Sequence, residues 1–162
     1  MASKKGIVIT AIILAVITAA SFLFWVIPQE NPSTLEVSDY KNYLDGVKKI
    51  HEVLQESIET EFQNLLVGKT SPDDYIAITE VTSSQVTGQI SEFVTSKPPE
   101  EWQDSYISYM EALKKFNSYV IETKVAANML KENQTNAETI QKIESLRSEY
   151  KELINKSDEL RP

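Results

Sequence analysis

The chain predicts an all-α protein: a single N-terminal transmembrane helix followed by an external antiparallel four-helix bundle. Three observations carry that reading. Gly6 to Ile27, GIVITAIILAVITAASFLFWVI, holds no charged residue. Beyond it, apolar residues recur at spacings of three and four over four long stretches, the period of one-sided helices. Helix start and stop signals stand at the breaks between those stretches.

The apolar run comes first. As a helix with ~1.5 Å rise per residue, residues 6–27 reach roughly 33 Å, enough for the ~30 Å hydrocarbon core of a bilayer. In lipid the backbone must pair its own N–H and C=O groups, so the run is expected to be helical despite its β-branched residues. Lys4 and Lys5 precede it, and no basic residue follows until Lys41. Positive charge stays on the cytoplasmic side, which places residues 1–5 inside as a short tail and the rest outside. Phe22, Phe24 and Trp25 cluster at the outer end, as in an aromatic belt at the headgroups, and Pro28 stops the helix. Lys4, Lys5, Phe22, Phe24 and Trp25 are thus the expected membrane-interface residues.

A secretory signal has a shorter apolar region, ~7–15 residues, and a small-residue cleavage site. Here the small cluster Thr18-Ala19-Ala20-Ser21 runs into Phe22-Leu23-Phe24-Trp25, so a retained anchor is expected. Lys4-Lys5-Gly6-Ile7 also resembles the leader of type IV pilin-like proteins of archaea and bacteria. In that family cleavage follows a small residue just before the apolar helix. The resemblance covers about a dozen residues and implies an envelope structural protein. Where many pilins carry a glutamate, this chain has Thr10-Ala11.

Residues 28–34, PQENPST, form a polar linker with two prolines, and 35–162 form the external domain. Its first helix is expected over about 36–67. The stripe is Tyr40, Leu44, Val47, Leu54, Ile58 and Leu65, with Ser38 or Asp39 at the start and Gly68 as a C-terminal stop. Ser71-Pro72-Asp73-Asp74 opens the second, over about 72–95: a cap, a proline at the first position and two acids at the positive end of the dipole. Its middle, ITEVTSSQVTGQI, is β-branched and contains Gly88. A strand competes there, but Ile78, Val81, Val86, Ile90 and Phe93 fit a helical stripe, and no partner strand is evident.

Lys97-Pro98-Pro99-Glu100-Glu101 is a turn and another helix start. That helix is expected to about Lys131, with a stripe of Trp102, Tyr106, Met110, Leu113, Phe116 or Asn117, Val120, Val125 and Met129. Thr135-Asn136-Ala137-Glu138 is a capping-box pattern, and the last helix carries Ile140, Ile143, Leu146, Tyr150 and Leu153 to about Asp158. Short connections favour antiparallel neighbours, hence an up-down-up-down bundle.

Composition narrows function. The formal net charge is −8. With Lys4 and Lys5 inside, 14 of the 16 basic residues and all 24 acidic ones lie outside, a net −10. Such a surface repels phosphates, so nucleic acid is not an expected partner. The chain has no cysteine, which excludes disulfides and thiolate chemistry.

No catalytic, cofactor-binding or metal site is expected. His51, the sole histidine, stands where the first stripe expects an apolar residue and reads as a semi-buried interface residue. The carboxylates at Glu56, Glu59, Glu61, Glu132, Glu138 and Glu144 fall between stripe positions and read as a solvated face. The four glycines are isolated, and no nucleophile elbow occurs. Of the seven tyrosines, Tyr43 and Tyr109 lie beside the stripes and are candidates for an exposed partner surface. Asn133-Gln134-Thr135 and Asn155-Lys156-Ser157 are glycosylation sequons, making Asn133 and Asn155 candidate acceptors.

These observations point to a non-enzymatic, membrane-anchored interaction module, an accessory subunit with a protein partner in or near the membrane. The alternative is an external sensor or ligand-binding bundle. Chemoreceptor sensor bundles are similar in architecture, but they return through a second span, and no second apolar run follows here.

Overall fold

The computed structural model describes residues 39–134 and 137–162, and within them the regular elements are all α-helices. They are α1 (Tyr40–Leu66), α2 (Pro72–Thr95), α3 (Glu100–Lys131) and α4 (Ala137–Glu159). Residues 6–27, the linker 28–34, and Lys4, Lys5, Phe22, Phe24 and Trp25 lie outside the described residues. Among the described residues no helix is long and apolar enough to cross a membrane.

Local chemistry sets the helix ends. Asp39 is extended (φ −137°, ψ 92°), and its carboxylate accepts the Asn42 N–H at 3.0 Å. This satisfies one of the orphan donors of the first turn. Gly68 sits just past α1 at φ 72°, with its N–H on Leu65 O at 3.0 Å. A Cβ would be strained in that left-handed conformation. Ser71 caps α2 by accepting the Asp74 N–H at 3.2 Å, with Pro72 at the first position. Replacing Ser71 by Ala should therefore cost about 1 kcal/mol, read as a lowered urea midpoint.

The β-branched middle of α2 is helical. Its hydroxyls turn back onto the helix: Thr79 donates to Ile76 O at 2.7 Å, Thr87 to Ser83 O at 2.8 Å and Thr95 to Glu92 O at 2.8 Å. That disposes of their polar atoms within the element, while Ile78, Val86 and Phe93 face the core. α3 has no side-chain cap. Pro99 occupies the cap position rather than the first turn, with Glu100 and Glu101 following. Of the capping-box residues before α4, Thr135 lies outside the described residues.

The connections run up, down, up, down. Tyr40 Oη donates to Lys97 O at 3.2 Å, tying the start of α1 to the end of α2. Lys124 meets Glu80 at 2.8 Å between α3 and α2. Ser105 Oγ donates to Ser157 O at 2.8 Å, joining the start of α3 to the end of α4. α3 is the hub. Ser105, Ser108, Ala112, Ala126 and Ala127 are buried on it, and small side chains allow close helix approach. α1 stands further off, and its Cα atoms nowhere come within 8 Å of those of α4. Large side chains fill that distance: His51, Phe116, Tyr119 and Tyr150 are all at most 2% exposed.

Two stripe positions are corrected. Val125 is 37% and Ile140 is 42% exposed. α3 packs against α2 on one flank and α4 on the other, so its buried arc is centred away from Val125. Tyr109 and Ala112 are buried on that arc, and Met110 packs partly buried beside it.

Candidate functional site

The four-and-three spacing Val47, His51, Leu54, Ile58 turns His51 onto the core face of α1, where it is 0% exposed. Its Nδ1 lies 2.8 Å from Tyr109 Oη of α3. The ring is surrounded by aromatics, with centroids 4.6 Å from Phe116, 5.7 Å from Tyr109 and 6.4 Å from Tyr150. Nε2 has no hydrogen-bond partner among the described residues. If Nδ1 accepts the Tyr109 proton, Nε2–H is the single orphan. If Nδ1–H donates instead, the Tyr109 proton and the Nε2 lone pair are both stranded. Each stranded group costs about 1–3 kcal/mol, so the first tautomer is favoured. Burial, and secondarily the charge of Lys48, pushes the imidazole down to about 3, so the ring is neutral.

A charged cluster borders this pair. Tyr150 Oη donates to Glu59 Oε1 at 2.6 Å, Arg147 Nη2 donates to Oε2 at 2.7 Å, and Lys151 Nζ stands 2.9 Å from Oε1. Partial burial works against the charge of Glu59. The hydrogen bonds from Arg147, Tyr150 and Lys151 outweigh it and hold the carboxyl down to about 2. The solvated-face reading fails at Glu59 for that reason. It fails also at Glu61, which is 7% exposed and accepts Thr70 Oγ1 at 2.8 Å, fastening the α1–α2 turn. Glu59→Ala should cost about 1–2 kcal/mol, and less in high salt, because the cluster is partly wet. Chemical unfolding at two ionic strengths checks this. Among the described residues no group of three His, Asp or Glu could hold a metal ion.

A second aromatic group closes the end of the bundle where α1 begins. Tyr106 Oη donates to Tyr40 O at 2.7 Å. Its ring lies 5.0 Å from Phe93, 5.9 Å from Tyr40 and 6.2 Å from Trp102.

The expected tyrosine surface is corrected here. Tyr109 is 1% exposed and held by His51. The run Tyr106, Tyr109, Leu113, Phe116, Val120 has the same three-and-four spacing as the stripe through Met110, and this alternative decides the face. Tyr43 is half-buried against Phe93 at 5.7 Å, and its hydroxyl is enclosed with no partner among the described residues. Burial, then the nearby Glu92 carboxylate, raises that phenol well above its usual range.

The sequons differ. Asn133 is exposed in the turn after α3, at φ 56°, and Thr135 lies outside the described residues. Asn155 is exposed on α4, but Ser157 is 0% exposed and donates its hydroxyl to Ser105 O at 2.8 Å. The folded chain therefore hides the hydroxyl of the second sequon.

Comparison with known proteins finds no matching family model, no matching curated protein and no matching solved structure.

Proposed function

We propose that this chain is a single-pass membrane protein whose four-helix bundle stands outside the cell membrane. There it acts by binding rather than by catalysis, as an accessory subunit of a membrane assembly. The observation that carries the reading is the uncharged run Gly6–Ile27 behind Lys4 and Lys5. Residues 28–38 join that run to α1, so the bundle is held near the lipid with its Tyr40–Trp102–Tyr106 end on the side where the chain arrives. With Tyr109 buried and Tyr43 packed inward, the partner is better sought on the outward face of α3. Ile107, Ile121 and Val125 are 53%, 49% and 37% exposed there and share one face at helical spacing.

The test is the native size and composition of the full chain, extracted from its own membranes in mild detergent, resolved on a native gel and identified by mass spectrometry. A discrete assembly with other membrane proteins, lost on Ile121→Glu, is the expected result. A lone monomer in the membrane fraction would overturn the accessory role, and absence from that fraction would overturn the anchor.

A further inference from the structure

The seven tyrosines are more than the helical stripes need, and two of them, Tyr106 and Tyr109, stand in one series of rings. From the partly exposed Trp102 the series runs to Tyr106 at 6.2 Å, to Phe93 at 5.0 Å and to Tyr109 at 5.7 Å. All these spacings lie in the range of direct aromatic contact. The series ends at a base, since Tyr109 Oη is 2.8 Å from His51 Nδ1, within reach for proton transfer. We propose that Tyr109 and His51 form a proton-coupled redox pair that stores an oxidising equivalent delivered to the bundle end by a one-electron oxidant, a radical or high-valent metal species.

The step balances as follows. The oxidant takes one electron from the Trp102 indole. An electron from Tyr109 refills it by way of Tyr106, across the Phe93 ring. The Tyr109 O–H bond breaks, and its proton passes to His51 Nδ1. The products are the reduced oxidant, a neutral phenoxyl radical at Tyr109 and an imidazolium at His51. A one-electron reductant reverses the step. Because Nε2 has no partner among the described residues, the imidazolium gains no stabilising acceptor, and the proton returns with the electron.

The neighbouring phenols lack this arrangement. The hydroxyls of Tyr40 and Tyr106 donate to main-chain carbonyls, of Lys97 and Tyr40, and an amide oxygen is too weak a base to take the proton. Tyr150 donates to Glu59, but that carboxylate is already engaged by Arg147 and Lys151. Protonating it would give up both ion pairs.

The chain has one histidine, which makes the test direct. Full-length protein in detergent, grown with heavy-nitrogen histidine, is flashed with tris(bipyridine)ruthenium and persulfate and freeze-quenched for electron paramagnetic resonance. The expected spectrum is a neutral tyrosyl radical with hyperfine coupling to the labelled nitrogen, needing no mutation to locate it. Tyr109→Phe should remove that signal. His51→Gln should slow radical formation about a hundredfold, the low end of what a positioned base contributes. Tyr75→Phe, whose ring contacts Phe62 off the series, should change neither. A tyrosyl radical without nitrogen coupling in the unmutated chain would overturn the proposal. So would an unchanged spectrum in Tyr109→Phe.

Discussion

Lowering the pH from 7 to 4 is expected to remove about 3 kcal/mol of stability through His51 alone, at ~1.4 kcal/mol per pKa unit. The unfolded chain protonates its histidine near 6.5, whereas the folded one resists until about 3, chiefly because the ring is buried. The unfolded state therefore binds the extra proton throughout that interval. Stability is full above 6.5 and falls as the pH drops towards 3. Glu59, lowered from 4.5 to about 2, adds a loss of the same sign, but only below its ordinary value. Between 4.5 and 6.5 the loss comes from His51, partly offset by Glu92, whose carboxyl is raised above its ordinary value by burial. Urea unfolding at a series of pH values should show that loss in the unmutated chain and no loss in His51→Phe, where only the opposite contribution of Glu92 remains. Parallel curves would show that the histidine is not held neutral by its surroundings.

Phe116→Ala should cost about 3–5 kcal/mol, since a fully buried aromatic leaves both lost transfer energy and a cavity. Phe116 is 0% exposed and lies among His51, Tyr119 and Tyr150, with centroids at 4.6, 6.0 and 5.3 Å. It spans the place where α1 and α4 do not approach one another, so no backbone can settle into the hole. Phe116→Leu should recover more than half of the loss. Thermal unfolding followed by circular dichroism distinguishes the two. Equal melting temperatures for Phe116→Ala and the unmutated chain would mean that the gap closes by itself.

The helices were legible because their ends carry strong local chemistry. Ser71-Pro72-Asp73-Asp74, Gly68 and the Pro98-Pro99 break each state a boundary within a few residues, and α1 ends, α2 begins and ends, and α3 begins where those signals place them. The inner face of α3 was less legible. A helix flanked on two sides buries a wide arc, and spacing alone does not choose between Met110 and Tyr109 for its centre. His51 stands at a helix interface as expected but is wholly rather than semi-buried, and its bond to Tyr109 joins residues far apart in the chain, so no local pattern announces it. The same holds for Glu59, whose partners come from α4. A carboxylate between stripe positions reads as solvated until the neighbouring helix is in place.

The distance between α1 and the rest of the bundle has a mechanical consequence. α1 is fastened along its α4 side by long charged bridges, Lys48–Asp158 and Glu59–Arg147 at 2.6 and 2.7 Å, while α2, α3 and α4 lie closer together around α3. A tensile load entering at Asp39 pulls on α1 before any other helix and meets those bridges one after another rather than all at once. Under force the bundle should begin to yield at this end, with salt in the buffer lowering the force at which it does.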